Sequence, residues 1–95
     1  MVRDTALLIA AREGQHKLVQ LLIDNGADIN AVNTFGISSL MYAVRNRKRK
    51  MVQLLIKNHI NLNIINNDEN TALSIAKKAN YPGLVKLLIE AGAEK

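Results

Sequence analysis

The triplet Leu21-Leu22-Ile23 returns as Leu54-Leu55-Ile56 and again as Leu87-Leu88-Ile89, 33 residues apart both times. The register extends outward in both directions. Val19 maps onto Val52 and Val85, Ala10 onto Ala43 and Ala76, and Leu7 onto Leu40 and Leu73. Thr5 maps onto Ser38 and Thr71, without insertion or deletion. A fixed period of this length is the mark of a stacked repeat, in which each unit is one supersecondary element.

Each copy reads in the same order. A polar turn such as Asn33-Thr34-Phe35-Gly36 comes first. A hydroxyl residue then opens a short apolar segment over 5–12, 38–45 and 71–78. A Ser or Thr oxygen there can accept from an orphan backbone N–H, so it reads as a helix N-cap. A second segment follows at 17–25, 50–58 and 84–91, with apolar residues at helical spacing: Leu18, Leu21 and Leu22, then Met51, Leu54 and Leu55. Gly26 and Gly92 close it, and Pro82 stands where a missing N–H costs nothing. Helices this short are marginal alone in water. Three stacked pairs can bury the faces that one pair cannot, which predicts an all-α repeat solenoid. Its core is expected at Leu7, Ala10, Val19, Leu21, Leu22 and their equivalents.

The segments Asn70-Thr71-Ala72-Leu73-Ser74-Ile75-Ala76 and Gly26-Ala27-Asp28-Ile29-Asn30-Ala31 resemble an ankyrin repeat. The resemblance runs from about Arg3 to Glu94. It implies a single ankyrin-repeat domain over 1–95, with repeats at about 1–33, 34–66 and 67–95. The implied fold is three antiparallel helix pairs linked by β-hairpin loops. The tetratricopeptide array, with longer helices and a 34-residue unit, fits less well. The family's Thr-Pro-Leu-His tetrad is here Thr5-Ala6-Leu7-Leu8, Ser38-Ser39-Leu40-Met41 and Thr71-Ala72-Leu73-Ser74. The Thr–His bonds between neighbouring repeats are therefore not available. The glycine between the helices survives as Gly14 but becomes Arg47 and Asn80, and the Gly-Ala pair after the second helix becomes His59-Ile60. Asn30 and Asn63 match the family's loop asparagine, whose amide is expected to bond the hairpin backbone.

The ends differ. Leu7-Leu8-Ile9-Ala10-Ala11 leaves the first repeat without a polar outer face, whereas Ser74, Lys77 and Lys78 make the last one polar. An apolar patch at Leu8 and Ile9 is expected, open to self-association or to a further repeat.

Composition narrows the function. The chain has 95 residues, no cysteine and a formal net charge of +5. A disulfide scaffold and thiolate metal sites are excluded. No apolar run reaches the ~18–20 residues of a membrane span, and Met1 to Thr5 lacks a signal peptide's apolar segment. The expectation is an intracellular, cytoplasmic protein with no membrane insertion. Residues 1–33 hold three basic and four acidic side chains, residues 34–66 six basic and no acidic ones, and residues 67–95 four of each. Five of the six lie at Arg45, Arg47, Lys48, Arg49 and Lys50. Such a run is a solubilising turn, a dock for an acidic protein surface, or a patch for nucleic acid or a nuclear-import factor. Nucleic acid is disfavoured, since no aromatic platform accompanies the charges.

No phosphate loop, nucleophilic triad or spaced metal-ligand set is present. The reading is a non-catalytic protein-interaction module without cofactor, metal or small-molecule substrate. A purely structural fragment of a longer array is the alternative. The resemblance implies that a partner docks on the hairpin tips and the exposed side of the first helices. That assigns partner contacts to Asp4, Arg12 and Glu13 in the first copy. The second copy supplies Thr34, Phe35, Ile37, Met41, Arg45 and Asn46, and the third Asn67, Asp68, Asn70 and Lys78. Phe35, an aromatic ring at a tip, is the expected anchor.

Overall fold

In the computed structural model, residues 4–94 are described. Met1 to Arg3, whose lack of a signal-like segment was noted above, and Lys95 lie outside them. Six helices follow in order: α1 (Ala6–Arg12), α2 (His16–Asp24), α3 (Ser39–Arg45), α4 (Arg49–Lys57), α5 (Ala72–Lys78) and α6 (Pro82–Glu90). The three first helices begin alike. The side chains of Thr5, Ser38 and Thr71 accept from the N–H groups of Leu8, Met41 and Ser74. In the third copy Ser74 Oγ also accepts from Thr71 N at 2.8 Å, which completes a reciprocal cap. The second helices have no side-chain cap.

Each first helix packs on its own second helix, and α3 packs on both α1 and α5. Position in the stack decides burial. In α3 every residue from Ser39 to Val44 is buried, because neighbours stand on both sides. Leu7, Leu40 and Leu73 sit in the core with Val19, Val52, Leu55 and Leu88. Burying each large aliphatic side chain contributes about 1.5–3 kcal/mol.

Two core expectations change. Leu21 is 58% exposed, although Leu54 and Leu87 at the same repeat position pack against the core. That position points toward the preceding repeat, and the first copy has none among the described residues. Leu8, expected on an exposed patch, is fully buried, and only Ile9 of that pair is bare, at 42%.

The loops also differ from the β-hairpins expected. Among the described residues pairing shrinks to one antiparallel bridge, Val32 with Ser38. The loops are held by asparagines instead. Asn30 Oδ1 accepts from Asn61 N at 2.8 Å, and Asn63 Oδ1 from Glu94 N at 3.0 Å, so each ties its loop to the next one's backbone. The missing inter-helix glycines leave strained turns: Arg47 has φ 54° and Asn80 φ 58°. The Arg47 guanidinium lies 4.7 Å from the centre of the Tyr81 ring, a contact that offsets part of that cost.

Candidate functional site

The tip of the second copy is shaped by Asn33, whose Oδ1 accepts from the N–H groups of both Phe35 and Ile37. Asn66, 33 residues on, does the same for Asp68 and Asn70. The two tips are joined. Asn67 donates its backbone N–H to Phe35 O at 3.0 Å and its side-chain amide to Thr34 O at 3.1 Å. This leaves Phe35 half-exposed on a tip held from both sides.

Between these tips and helices α3 and α5 lies a cleft of about 330 Å³. Phe35, Ile37 and Ile75 form its apolar surface. Arg45, Asn67, Asp68 and Asn70 supply its polar groups, and Asn66 completes the lining. The asparagine Asn70 is itself pinned, accepting from Ser74 Oγ at 3.1 Å and from Lys78 Nζ at 2.7 Å.

The same niche one repeat earlier is closed. There Ile37 is replaced by Asp4, Ile75 by Tyr42, Asn66 by Asn33 and Arg45 by Arg12. Asp4 accepts from the Tyr42 hydroxyl at 3.1 Å, from Asn33 Nδ2 at 3.0 Å and from Arg12 at 3.3 Å. Tyr42 is buried. Burial, and then the Asp4 carboxylate beside it, push the Tyr42 hydroxyl above its usual titration range. In the cleft two isoleucines replace the acid and the phenol. Arg45 lines the cleft beside these isoleucines, its guanidinium 5.9 Å from the centre of the Tyr42 ring, and has no carboxylate partner among the described residues, while Arg12 is paired.

The residues assigned from sequence thus separate. Phe35, Ile37, Arg45, Asn67, Asp68 and Asn70 line one cleft, with Thr34 and Lys78 bonded to its rim. Asp4 and Arg12 are engaged in the closed niche, and Glu13 pairs with Arg12 at 3.6 Å. Asn46 donates to Arg12 O at 3.3 Å. Met41 is a correction: it is 1% exposed and belongs to the core, as does Leu8 at the same repeat position. Asn66 and Ile75 were missed. Their register with Asn33 and Tyr42 was the available signal. The basic run also divides. Arg45 turns into the cleft, while Arg47, Lys48, Arg49 and Lys50 are exposed along the inter-helix turn and the first turn of α4.

This is the architecture of a helical repeat solenoid with a recess between its loops and its first helices. A family model of ankyrin repeats, in three copies, matches residues 4–95, and the chain belongs to the ankyrin repeat family. No curated protein sequence matches it significantly. Among solved structures it is similar to the ankyrin repeat domain of Bcl-3, described as a unique member of the IkappaB protein family, with a TM-score of 0.92 and 38% identity. The match covers 96% of this chain and spans 40% of that one. Ankyrin repeats generally serve as protein-protein interaction modules. No helix of the described residues is long and apolar enough to cross a membrane.

Proposed function

We propose that the protein is a non-catalytic, intracellular and cytoplasmic interaction module, which seats a segment of a partner protein in the cleft between the second and third repeats. The observation that carries this is Arg45, which lines the cleft with Ile37 and Ile75, its guanidinium 5.9 Å from the centre of the Tyr42 ring and without a carboxylate partner among the described residues, at the position where Arg12 holds Asp4. A partner residue with a carboxylate would take the part that Asp4 plays one repeat earlier. An adjoining apolar side chain would cover Phe35, Ile37 and Ile75. The partner is therefore an acidic-apolar protein segment, with Asp68 at the rim setting which side its charge faces.

The test is a pull-down with the native chain, Arg45→Ala, Phe35→Ala, and a chain neutralised only at Arg47, Lys48, Arg49 and Lys50. Loss of one captured protein with the first two variants supports the cleft. Loss only with the neutralised chain moves the site to the turn. Capture of nucleic acid that falls steeply with log salt would replace this reading by the nucleic-acid one.

A further inference from the structure

The basic run between α3 and α4 is not a uniform strip. Lys48 turns back to the first repeat, where its Cδ stands 3.5 Å from the place a Cβ on Gly14 would take. Arg47 and Arg49 turn forward to the third repeat. The Arg47 guanidinium lies over the Tyr81 ring, and Arg49 Nη1 comes within 3.1 Å of the place a Cβ on Gly83 would take. With Pro82 and Leu84, these four residues line a niche of about 220 Å³ at the boundary of the second and third repeats. Neither arginine forms an ion pair among the described residues. The first turn of α6 holds no acidic residue, so no carboxylate competes for the two guanidinium groups.

The same niche one repeat earlier is built differently. Gly14 and His16 stand there at the positions of Arg47 and Arg49, and Glu13 joins the lining. Only the later niche sets two arginines together without an acid. The chain also departs from its easiest local choices to place them. Arg47 keeps φ 54° where the first copy has Gly14 at φ 74°, a conformation that disfavours a side chain. Gly83 occupies a helical position where alanine would be preferred, and its missing Cβ leaves room for Arg49.

We infer that this niche binds a phosphate group, carried on a phosphorylated side chain of a partner protein. The inference does not rest on the cleft, and Arg45 has no part in it. A carboxylate has two oxygens and can fill one guanidinium fork. A phosphate has three free oxygens and close to two charges, enough to engage both forks at once. A polynucleotide fits less well. The first and third repeats are near-neutral, so a nucleic-acid backbone finds no basic track beyond this turn. Arg47 also covers a face of Tyr81, the one ring of the niche on which a base could stack.

NMR titration of the whole chain tests this with an uncharged peptide bearing one phosphoserine, and with the same peptide bearing serine or glutamate instead. The phosphoserine peptide should shift the Gly83 amide and the side-chain N–H signals of Arg47 and Arg49. It should bind about tenfold or more tightly than the glutamate peptide. Arg47→Gly removes the guanidinium and relieves the backbone, and Arg49→Lys keeps the charge but not the fork. Each should weaken binding about tenfold with unchanged circular dichroism. Gly83→Ala should weaken it too, by displacing Arg49, in a chain no less stable. Lys50→Ala, within the run but outside this niche, should change affinity by about twofold or less. Equal binding of the glutamate peptide overturns the proposal, as does native affinity in both arginine variants or the absence of any shift at millimolar peptide. Inorganic phosphate that binds where the phosphoserine peptide does not, or an oligothymidylate that binds more tightly than the peptide, overturns the assignment to a phosphorylated protein.

Discussion

The Tyr42 hydroxyl, in the second repeat, donates to Asp4 Oδ1 of the first at 3.1 Å, and Asn33 Nδ2 donates to both groups. This buried triad links two repeats that lack the family's Thr–His bonds. Tyr42→Phe should lower stability by about 1–2 kcal/mol, the range for a hydrogen bond to a charged group. Asp4→Ala should cost about 1–3 kcal/mol by leaving the buried Tyr42 hydroxyl without an acceptor, while Asn33 keeps its bond to the Tyr42 oxygen. Urea midpoints at unchanged slope measure both.

The same contact gives the protein an alkaline limit. Burial, then Asp4, raise the Tyr42 pKa above its ordinary 10.0, so the folded state holds this proton more tightly than the unfolded chain. The contribution is complete below pH 10 and is lost as pH rises through and beyond that value. Urea midpoints of the native chain and of Tyr42→Phe should converge as pH rises above about 10. A constant gap between them would contradict the assignment.

Ser39 Oγ is buried with no hydrogen-bond partner. The equivalent residues are Ala6 and Ala72. Ser39→Ala should raise stability by about 1 kcal/mol, the lower end of the cost of an unsatisfied buried group. A thermal melt shifted downward would show that the hydroxyl is bonded.

His59 ends α4 with φ 64°, where the neighbouring repeats have Gly26 at φ 91° and Gly92 at φ 108°. A side chain in that region costs about 1 kcal/mol, partly offset by glycine's greater freedom when unfolded. His59→Gly should therefore stabilise by a few tenths to about 1 kcal/mol, and His59→Val should destabilise. Chemical denaturation of the three chains orders them.

Leu55 and Leu21 both stand at positions expected in the core, and only the first is there in the structure. Leu55 is fully buried and Leu21 is 58% exposed. Leu55→Ala should cost about 2–5 kcal/mol, enough to unfold so short a stack, while Leu21→Ala should stay within about 0.5 kcal/mol. Urea midpoints of the two variants against the native chain measure both.

The period and the helix starts were legible in the sequence, because they depend on local chemistry repeated three times. A Thr or Ser hydroxyl caps the helix that follows it wherever that helix stands. Six of the residues assigned to partner contact do gather in one cleft, since tip and first-helix positions are set by the repeat. Met41 and Leu21 were misplaced for a single reason. Repeat position tells which way a side chain points, but not whether anything stands there. Met41 points toward a neighbour and is covered; Leu21 points to a side where the described residues supply no repeat, and is bare.

What the 95 residues determine by themselves is the unit and its copying: a helix pair too short to stand alone, written three times in register. What tertiary structure decides is which copy of each position matters. Stacking sets Asp4 against Tyr42 and closes one niche with hydrogen bonds. It brings Ile37 and Ile75 into the lining of the next niche and leaves it open, with Arg45 beside them and no carboxylate partner for it among the described residues. Those pairs lie 38 residues apart in the chain. Only the geometry of neighbouring repeats brings them together, because the contact is between units while the sequence pattern lies within them.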